Sequence, residues 1–434
     1  MFDNEIMMQG ERLKKIRQVI FRATQNEISK GLCTKNMISL IENNKKKLNF
    51  KLATGIAENL NRIAKEKGIN LSLITPEELM IDDDEQANYI FPNIINELKE
   101  IKKIESFDQK LLEAEELIEK YNITDNKKIE LYKLSADFYY YKYRYSKSDQ
   151  MCDLGLKISI NSQNSFEEIN FYIYKSRTNI FTGNYIKSLQ QLEYAEKLNS
   201  DICNNELSVM LLYYKATTYK KLCEYDTSLK YFKILKKFEI DDYKMLLRVK
   251  MNHSNCLNDY HKFDEAEKEY KEILSIAMKY NDKDIIAQTY RNLSELYVNK
   301  KDYKSASMYI KECLLYNQNN EDRGEYLYFA SKIFQNLNED VKMYLLQALE
   351  VCEKNDNENI ALIEKIIYEL VLIYIKNEDK ENLMLIADKA KDLNIDYSLI
   401  YLEIGEYYRG RNEEKSKYFI KKSREKMKQI KKIF

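Results

Sequence analysis

Proline and glycine are scarce in this sequence. Its 434 residues include 2 Pro and 9 Gly, and Trp is absent. Average usage is roughly 5% Pro and 7% Gly. Sheets with many tight turns depend on these residues, so their scarcity argues against such sheets and favours an all-α fold. Tyr is abundant, at 36 residues, which suits layered helices because each ring fills a groove while its hydroxyl reaches the rim.

Paired cysteines and long apolar runs are also missing. The seven cysteines are scattered, odd in number and without a Cys-x-x-Cys pair, which indicates neither a zinc site nor a disulfide framework. No signal peptide is recognisable, and the most apolar segment, 360–375, is interrupted by Glu364, Lys365 and Glu369. We therefore predict a cytoplasmic chain with no membrane partner.

Catalytic constellations are missing too. The two histidines, His253 and His261, lack the i, i+4 spacing of a helical metal-ligand pair. No glycine-rich phosphate loop and no nucleophile elbow occurs. The sequence predicts neither an enzyme nor a cofactor, and we expect His253 to pack between helices, although it neighbours a row of asparagines.

The net charge is zero, but the charges are unevenly distributed. Residues 1–70 hold 14 Lys/Arg and 7 Asp/Glu, a balance of +7. Because the whole chain holds 70 of each kind, the remainder holds 56 and 63, a balance of −7. A small basic head on an acidic body is expected when only the head meets a polyanion; a merely solvated Lys-rich module is the alternative.

Four short helices are predicted in the head. The first spans 9–21, with Leu13, Ile16 and Ile20 inward and its basic residues, Arg12 and Arg17 among them, around the other face. A second helix, capped by Thr24, ends at Gly31, and a third follows in the stretch 31–43, capped by Thr34. The fourth spans about 50–67 and ends at Gly68. The tight turn between the second and third helices is typical of a helix-turn-helix domain.

The segment TQNEISKGLCT (24–34), followed by ISLIEN (38–43), resembles the lambda-repressor-type (Xre) DNA-binding domain. More narrowly, it resembles the variant in peptide-pheromone regulators of the Rgg, NprR, PlcR and PrgX (RRNPP) family, in which a Gly-(Ile/Leu)-Cys-(Ser/Thr) turn precedes Ile-Ser-x-Ile-Glu. The resemblance covers residues 10–70. Within the family, the Lys-, Ile- and Asn-rich composition is similar to that of clostridial RstA-like regulators.

The start of the third helix is the candidate DNA-reading element, since this part enters the major groove in this docking mode. Asn pairs with adenine, Lys reaches guanine and Met contacts the thymine methyl, which makes Thr34, Lys35, Asn36 and Met37 the base-reading candidates. The resemblance implies that Gln25 and Ser39 hold phosphates or flanking bases. Contacts to the DNA backbone are expected from Lys45, Lys46 and Lys47. For Ser39 and Glu42, bracing of the domain is the alternative role.

The body repeats itself. A short turn followed by an aromatic residue recurs at Phe107, Tyr145, Tyr185, Tyr225, Phe263 and Tyr303. These aromatics are separated by 38, 40, 40, 38 and 40 residues, and weaker counterparts lie near Val341, Lys380 and Glu414. A small residue follows three places after five of the aromatics, at Ser148, Ser188, Ser228, Ala266 and Ala306.

A period near 40 predicts a helical solenoid. The pattern resembles tetratricopeptide repeats (TPR) with lengthened helices; armadillo or HEAT arrays are the alternative. The expected organisation is a helix-turn-helix DNA-binding domain at 1–70, a linker at 71–91 and a TPR-like domain of about nine units at 92–434. The linker, with Pro76 and an acidic run, is either a spacer or a hinge.

The concave face of such an array, lined by the first helix of each pair, is the candidate peptide groove. Helical spacing places one row along this face in two successive units: Asn252, Asn255, Asp259, Gln288, Arg291, Asn292, Glu295 and Asn299. The family resemblance implies that groove asparagines clamp the backbone of a short extended peptide, and Asn suits this because it donates and accepts at once. Ordinary solvated residues of a Lys/Asn-rich chain are the alternative.

The predicted function is a sequence-specific DNA-binding transcriptional regulator for quorum sensing. Its partners would be a double-stranded DNA operator, a short linear signalling peptide and a second copy of the chain in a homodimer. The alternative is a TPR interaction module that captures a signalling partner such as a sporulation response regulator.

Overall fold

The computed structural model describes residues 6–70, 72–317, 322–354, 360–393 and 395–431. Within these ranges the regular structure is entirely helical, without a strand, which confirms the predicted all-α class. The chain divides into two compact units, Met1–Cys203 and Asn204–Phe434.

The first unit contains helices α1 to α11. Their bounds are α1 Gln9–Lys15, α2 Gln25–Ser29, α3 Lys35–Glu42, α4 Phe50–Lys67, α5 Pro76–Met80, α6 Asp83–Glu100, α7 Ile104–Lys120, α8 Asp125–Tyr141, α9 Tyr145–Asn161, α10 Ser165–Phe181 and α11 Tyr185–Ile202. A π-helical turn, Ile16–Ile20, continues α1.

The second unit contains helices α12 to α23. Their bounds are α12 Asn205–Lys221, α13 Tyr225–Leu235, α14 Tyr243–Asp259, α15 Phe263–Lys279, α16 Lys283–Asn299, α17 Tyr303–Tyr316, α18 Arg323–Asn336, α19 Lys342–Lys354, α20 Ile360–Lys376, α21 Lys380–Asp392, α22 Ser398–Tyr408 and α23 Glu413–Lys431.

Local capping residues set the helix starts in the head. Thr24 forms a capping box with Glu27 at the start of α2, and the Thr34 hydroxyl accepts from the Met37 amide at the start of α3. Gly68, with φ 64°, ends α4 in the left-handed conformation, which glycine adopts without steric cost. These starts and this end agree with the sequence prediction.

Two arginines of the first helix differ from the prediction. Arg12 and Arg17, expected on the outer face, are 3% and 6% exposed. Arg12 donates to the Glu78 carbonyl at 2.6 Å, and Arg17 pairs with Glu42. The helical pattern could not show this, because both acceptors come from other helices that pack against α1.

The segment expected to be a linker carries helices. It contains α5 and the beginning of α6, each starting with a capping box, Thr75 with Glu78 and Asp82 with Glu85. Ile74 and Leu79 are buried in the same apolar cluster as α1–α4. This segment is therefore packed against the head.

The described helices from α6 onward form nine antiparallel pairs, α6 with α7 through α22 with α23, and the second helix of a pair repeats about every forty residues. Tyr145, Tyr185, Tyr225, Phe263 and Tyr303 are each the first residue of a second helix, as predicted. Phe107 instead lies inside α7. Within each unit, this organisation is that of a TPR-like helical array.

The small residue three places after each of these aromatics lies at the contact within a pair. All five, from Ser148 to Ala306, are fully buried. Where the residue is Ser, its hydroxyl can bond the partner helix: Ser148 donates to the Ala136 carbonyl and Ser228 to the Ala216 carbonyl, both at 2.8 Å. The small side chain lets the helices approach, and the hydroxyl fixes their register.

Candidate functional site

The start of α3 presents its polar side chains outward. Thr34, Lys35 and Asn36 are exposed, whereas Ile38 and Ile41 on the opposite face are buried in the head core. The turn before the helix passes through Gly31 at φ 75°, a conformation that favours glycine. The helix therefore packs through one face and offers its first turn to the surroundings.

Tight packing of α1 on α3 fixes this orientation. A Cβ built on Gly10 would lie 1.9 Å from the Ile41 carbonyl oxygen, so only glycine permits this approach. The Gly10 amide also donates to Asn44 Oδ1 at 2.8 Å. Backbone contact of this kind holds α3 by its C-terminal end and leaves its N-terminal end accessible.

Glu42 is the centre of a buried polar network below α3. Arg17 Nε and its terminal nitrogen donate to the two Glu42 carboxylate oxygens at 2.5 and 2.9 Å. Gln25 Nε2 donates to the same carboxylate at 2.7 Å, and Arg17 also donates to the Ala23 carbonyl at 2.8 Å. The network thus joins α1, α2 and α3, and Glu42 has the bracing role.

The remaining candidates of the head occupy different environments. Met37 is half-buried and packs against the head core, which restricts the contact it can offer. Ser39 is half-buried as well, and its carbonyl accepts from Asn43 Nδ2 at 2.7 Å. Lys45, Lys46 and Lys47 are all exposed, between α3 and α4.

The basic segment between α3 and α4 is anchored at both ends by α1. Asn44 is held by the Gly10 amide, and the Leu48 amide donates to Gln9 Oε1 at 3.2 Å. Between these anchors the three lysines extend from a backbone of fixed course. Such an arrangement suits contact with a polyanion, because the backbone that carries the three ammonium groups is already ordered before the contact forms.

A row of asparagines crosses from α14 to α16 in the second unit. Asn255 Oδ1 accepts from Tyr270 Oη at 2.6 Å and from Asn292 Nδ2 at 3.1 Å. Asn299 Nδ2 donates to Asn258 Oδ1 at 3.3 Å. The sequence-predicted residues Asn255 and Asn292 are thus brought into direct contact.

The row continues to neighbouring helices. Asn252 Nδ2 donates to Tyr213 Oη of α12 at 2.5 Å. Arg291 ion-pairs with Glu295 one turn along α16, donates to Asn292 Oδ1 at 3.3 Å and lies 4.8 Å from the centre of the Phe329 ring of α18. The predicted residues therefore belong to a row that extends beyond them, to Tyr213 of α12 and to Phe329 of α18.

Asp259, Gln288 and Asn299 are the exposed members of the row. Asp259 lies 3.8 Å from Lys220 Nζ of α12, and desolvation raises the pKa of the Asp259 carboxyl against the lowering effect of this lysine. Gln288 is on the N-terminal half of α16, and the structure joins it to no other predicted residue within the described ranges.

Sequence reasoning missed Tyr213, Lys220, Asn258, Tyr270 and Phe329. A signal for four of them was present, because contacting residues in adjacent pairs are separated by about one repeat. The separations are 39 residues for Tyr213 and Asn252, 39 for Lys220 and Asp259, 41 for Asn258 and Asn299, and 38 for Arg291 and Phe329. Aligning the repeats by their period would have found these contacts between the first helices of adjacent pairs. It would not have found Tyr270, which lies on a second helix.

His253 packs beside this row. Its Nδ1 lies 2.6 Å from Glu269 Oε2 of α15, and its ring contacts Phe232 edge-on at 5.2 Å between centres. In the described ranges, no group of three or more His, Cys, Asp or Glu residues is placed to hold a metal ion. No helix in the described part of the chain has the length and apolarity to cross a membrane.

One protein-family model matches part of the chain. It is described as the C-terminal domain of suppressor of spindle checkpoint defect 1 and covers residues 224–398. This is less than half of the chain, so the match does not place the whole chain in that family. No functionally curated protein has a significantly similar sequence.

Three solved structures illustrate the similarity in helical arrangement. The Rap conjugation gene regulator of plasmid pLS20 in complex with the Phr* peptide is 17% identical, with 80% of this chain and 96% of that chain covered and a TM-score of 0.43. A Rap protein complexed with competence and sporulation factor is 14% identical, with 80% of this chain and 99% of that chain covered and a TM-score of 0.48.

The third is the apo form of the quorum sensor NprR from B. thuringiensis. It is 15% identical, with 80% of this chain and 99% of that chain covered and a TM-score of 0.46. All three similarities are too low in identity and TM-score to carry a functional argument. The function proposed below therefore depends on the residues of this chain.

Proposed function

We propose that this protein is a sequence-specific DNA-binding transcriptional regulator whose TPR-like body binds a short signalling peptide. The observation that carries the proposal is the capped start of α3, with Lys35 and Asn36 exposed above a tightly braced core. In the helix-turn-helix mode, this is the part of the recognition helix that meets base edges. The local charge of +7 in residues 1–70 supports a polyanionic partner.

The roles of the head residues follow from their chemistry. Asn36 offers the donor and acceptor pair that matches adenine, and Lys35 reaches the acceptors of guanine. Thr34 and Met37 belong to the same base-reading turn of α3. Gln25, at the start of α2, and Ser39 contact phosphates or flanking bases. Lys45, Lys46 and Lys47 supply sequence-independent affinity.

We expect Lys35→Ala with Asn36→Ala to abolish sequence preference while the body stays folded, because both base-reading side chains are removed from an exposed surface. The measurement is a gel shift on operator duplexes that the wild-type protein selects from a random library, compared with a scrambled duplex. Lys65→Ala with Asn70→Ala is the matched control, since it removes the same two residue types from exposed positions near the end of α4. Full operator preference in the first variant would refute the role of α3.

The proposed peptide groove uses the polar row on α14 and α16. Asn255 and Asn292 hydrogen-bond each other across two adjacent first helices. Asn292 is 5% exposed and positions Asn255, whose Nδ2 group can donate to an extended peptide backbone. Asn252, Asp259, Gln288, Arg291, Glu295 and Asn299 extend this surface along the two helices. A charged pair such as Arg291 with Glu295 supplies polar contacts at defined positions of the ligand.

We expect Asn255→Ala with Asn292→Ala to remove peptide binding and leave the DNA affinity of the peptide-free protein unchanged. The probe is a synthetic peptide selected from a random heptapeptide library with the wild-type chain, titrated by calorimetry. Asn205→Ala with Asn336→Ala, two exposed positions of the same unit, is the control. An unchanged titration of the Asn255/Asn292 variant would contradict the groove assignment.

The proposed switch requires two heads. We infer a homodimer in which peptide binding changes the spacing or orientation of the heads. Paired heads must meet half-sites about 34–36 Å or a multiple apart, so a modest rotation alters operator affinity. Sedimentation of the chain with and without the selected peptide, together with binding to operators of altered half-site spacing, tests this step. The narrower RstA-like identity stays a prediction.

A further inference from the structure

A cleft of about 760 Å³ opens in the first unit beside the buried face of α1. Its walls come from α1, α5, α6, α8 and the segment before α5. Much of the lining is apolar and is supplied by Ile16, Ile74, Ile81, Tyr89, Ile90 and Pro92. The other half of the lining is polar or charged, and the volume lies within the roughly 300–1,000 Å³ range of small-molecule pockets.

One wall of the cleft contains a buried cation that forms no ion pair within the described part of the chain, although the carboxylates of Glu85, Asp82, Asp83 and Glu78 lie near it. Arg12 is 3% exposed, and its hydrogen bond is to a neutral acceptor, the Glu78 carbonyl, at 2.6 Å. Its Nε is buried, and no acceptor in the described part of the chain reaches it. Burial lowers the pKa of the Arg12 guanidinium despite the opposing effect of nearby carboxylates. A buried guanidinium of this kind favours an anionic ligand.

The acidic side chains at the cleft are engaged elsewhere. Glu78 Oε2 accepts from the Thr75 amide at 3.0 Å, and Glu85 Oε2 accepts from the Asp82 amide at 3.0 Å. Both carboxylates thus close capping boxes at the starts of α5 and α6 and are exposed. Neither forms an ion pair with Arg12.

A second cation is fixed in the wall by a local irregularity of α6. Pro92 has no amide hydrogen, so the Asn88 carbonyl lacks its usual helical donor. Lys127 Nζ of α8 supplies the donor at 2.6 Å. The Lys127 ammonium group is therefore held beside the cleft and adds positive charge next to its apolar walls.

We propose that this cleft binds a small amphiphilic carboxylate, a molecule with a medium-length apolar body and one carboxylate that pairs with Arg12. The apolar body would lie along the Ile and Pro side chains, and the carboxylate would pair with the guanidinium group of Arg12. The site is separate from the DNA-reading and peptide-binding residues and goes beyond the function proposed above. It would bind its ligand whether or not either of those assignments holds.

The test is a calorimetric titration of the full chain with decanoate, below its micellar concentration. Saturable 1:1 binding is expected. Decyltrimethylammonium, with the same chain length and the opposite charge, is expected to bind at least tenfold more weakly. Absence of saturable decanoate binding, or equal binding of the two probes, would overturn the proposal.

Two variants locate the binding. Arg12→Gln is expected to weaken decanoate binding at least tenfold, because a neutral amide replaces the guanidinium. Ile81→Trp places a larger side chain in the cleft and keeps Arg12, and it is expected to abolish decanoate binding. This variant tests the proposal if circular dichroism shows that Arg12→Gln does not fold. Leu73→Trp, 74% exposed in the same segment and outside the lining, is the matched control. Decanoate binding that survives Ile81→Trp would place the ligand elsewhere.

Discussion

Glu42 illustrates how a single side chain joins three helices of the head. Its carboxylate accepts from Arg17 and from Gln25 and is 2% exposed. Buried charges are tolerated when paired and hydrogen-bonded, and loss of one partner leaves the other charge without compensation. The structural role of Glu42 therefore lies in balancing Arg17 and in holding α3 and Gln25 in position.

We expect Glu42→Ala to lower the local stability of α2 and α3 by about 3–5 kcal/mol, the usual effect of breaking a buried pair. Hydrogen exchange of the amides in 25–42 measures this directly. Glu66→Ala, which removes an exposed partner of Arg62, is the control and is expected to change stability by about 0.5 kcal/mol or less. Equal protection of α3 in both variants would contradict the bracing role.

At the scale of a helix pair, α14 and α15 are joined by a charged contact. Burial acts to raise the pKa of Glu269, but hydrogen bonds from His253 and Lys236, with their charges, outweigh it and lower the pKa to about 2. Ser254 also donates to this carboxylate at 3.2 Å. The carboxylate form of Glu269 thus stabilises the pair, and the contact explains why His253 lies between helices.

The depressed pKa predicts a defined pH dependence. Because protonation is harder in the folded state, the stabilisation is complete above about pH 5 and is lost as the pH falls toward 2. At about 1.4 kcal/mol per pKa unit, the contribution is on the order of 3 kcal/mol. We expect Glu269→Gln to reduce the free energy of unfolding at pH 6 and to flatten its decline in acid, measured by urea denaturation. Glu272→Gln, half-exposed on the same helix, is the control, and parallel profiles for Glu269→Gln and wild type would contradict the assignment.

At the scale of the whole molecule, the uneven charge distribution is the dominant feature. The head carries +7 and the remainder −7. The basic head suits the DNA partner of the proposed function, and an acidic body would limit non-specific association. On that proposal, affinity for the operator should fall with salt, because phosphates neutralised by lysines release their counterions.

Replacing Lys45, Lys46 and Lys47 by Ala tests the expected salt dependence of operator affinity. Each lost phosphate contact reduces the slope of log affinity against log salt by about 0.9, so the triple variant should lose up to about 2.7 of that slope. Its preference among operators should be retained, because phosphate contacts carry no sequence information. Replacement of the exposed Lys187, Lys197 and Lys230 changes the charge equally outside the head, and an equal effect on the slope would contradict a specific role of the basic segment.

Much of the fold could be predicted because its signals are local. Thr24, Thr34 and Gly68 mark helix ends through hydrogen bonds and backbone conformations a few residues apart. Five of the recurring aromatics, from Tyr145 to Tyr303, mark the start of the second helix of a pair for the same reason. Contacts across helices were predictable only where the repeat period supplied them, as for Asn255 and Asn292. The burial of Arg12 and Arg17 was not predicted, because their partners lie far away in the sequence.

The sequence by itself determined the helical class, the period near forty and the polar first turn of α3, since these follow from composition, periodicity and capping. Only the tertiary structure decided that Glu42 compensates Arg17, that the asparagine row shares hydrogen bonds between adjacent pairs, and that Arg12 lies in the wall of a cleft. Each of these depends on the packing of helices from distant parts of the chain, where local pattern no longer specifies which side chains meet.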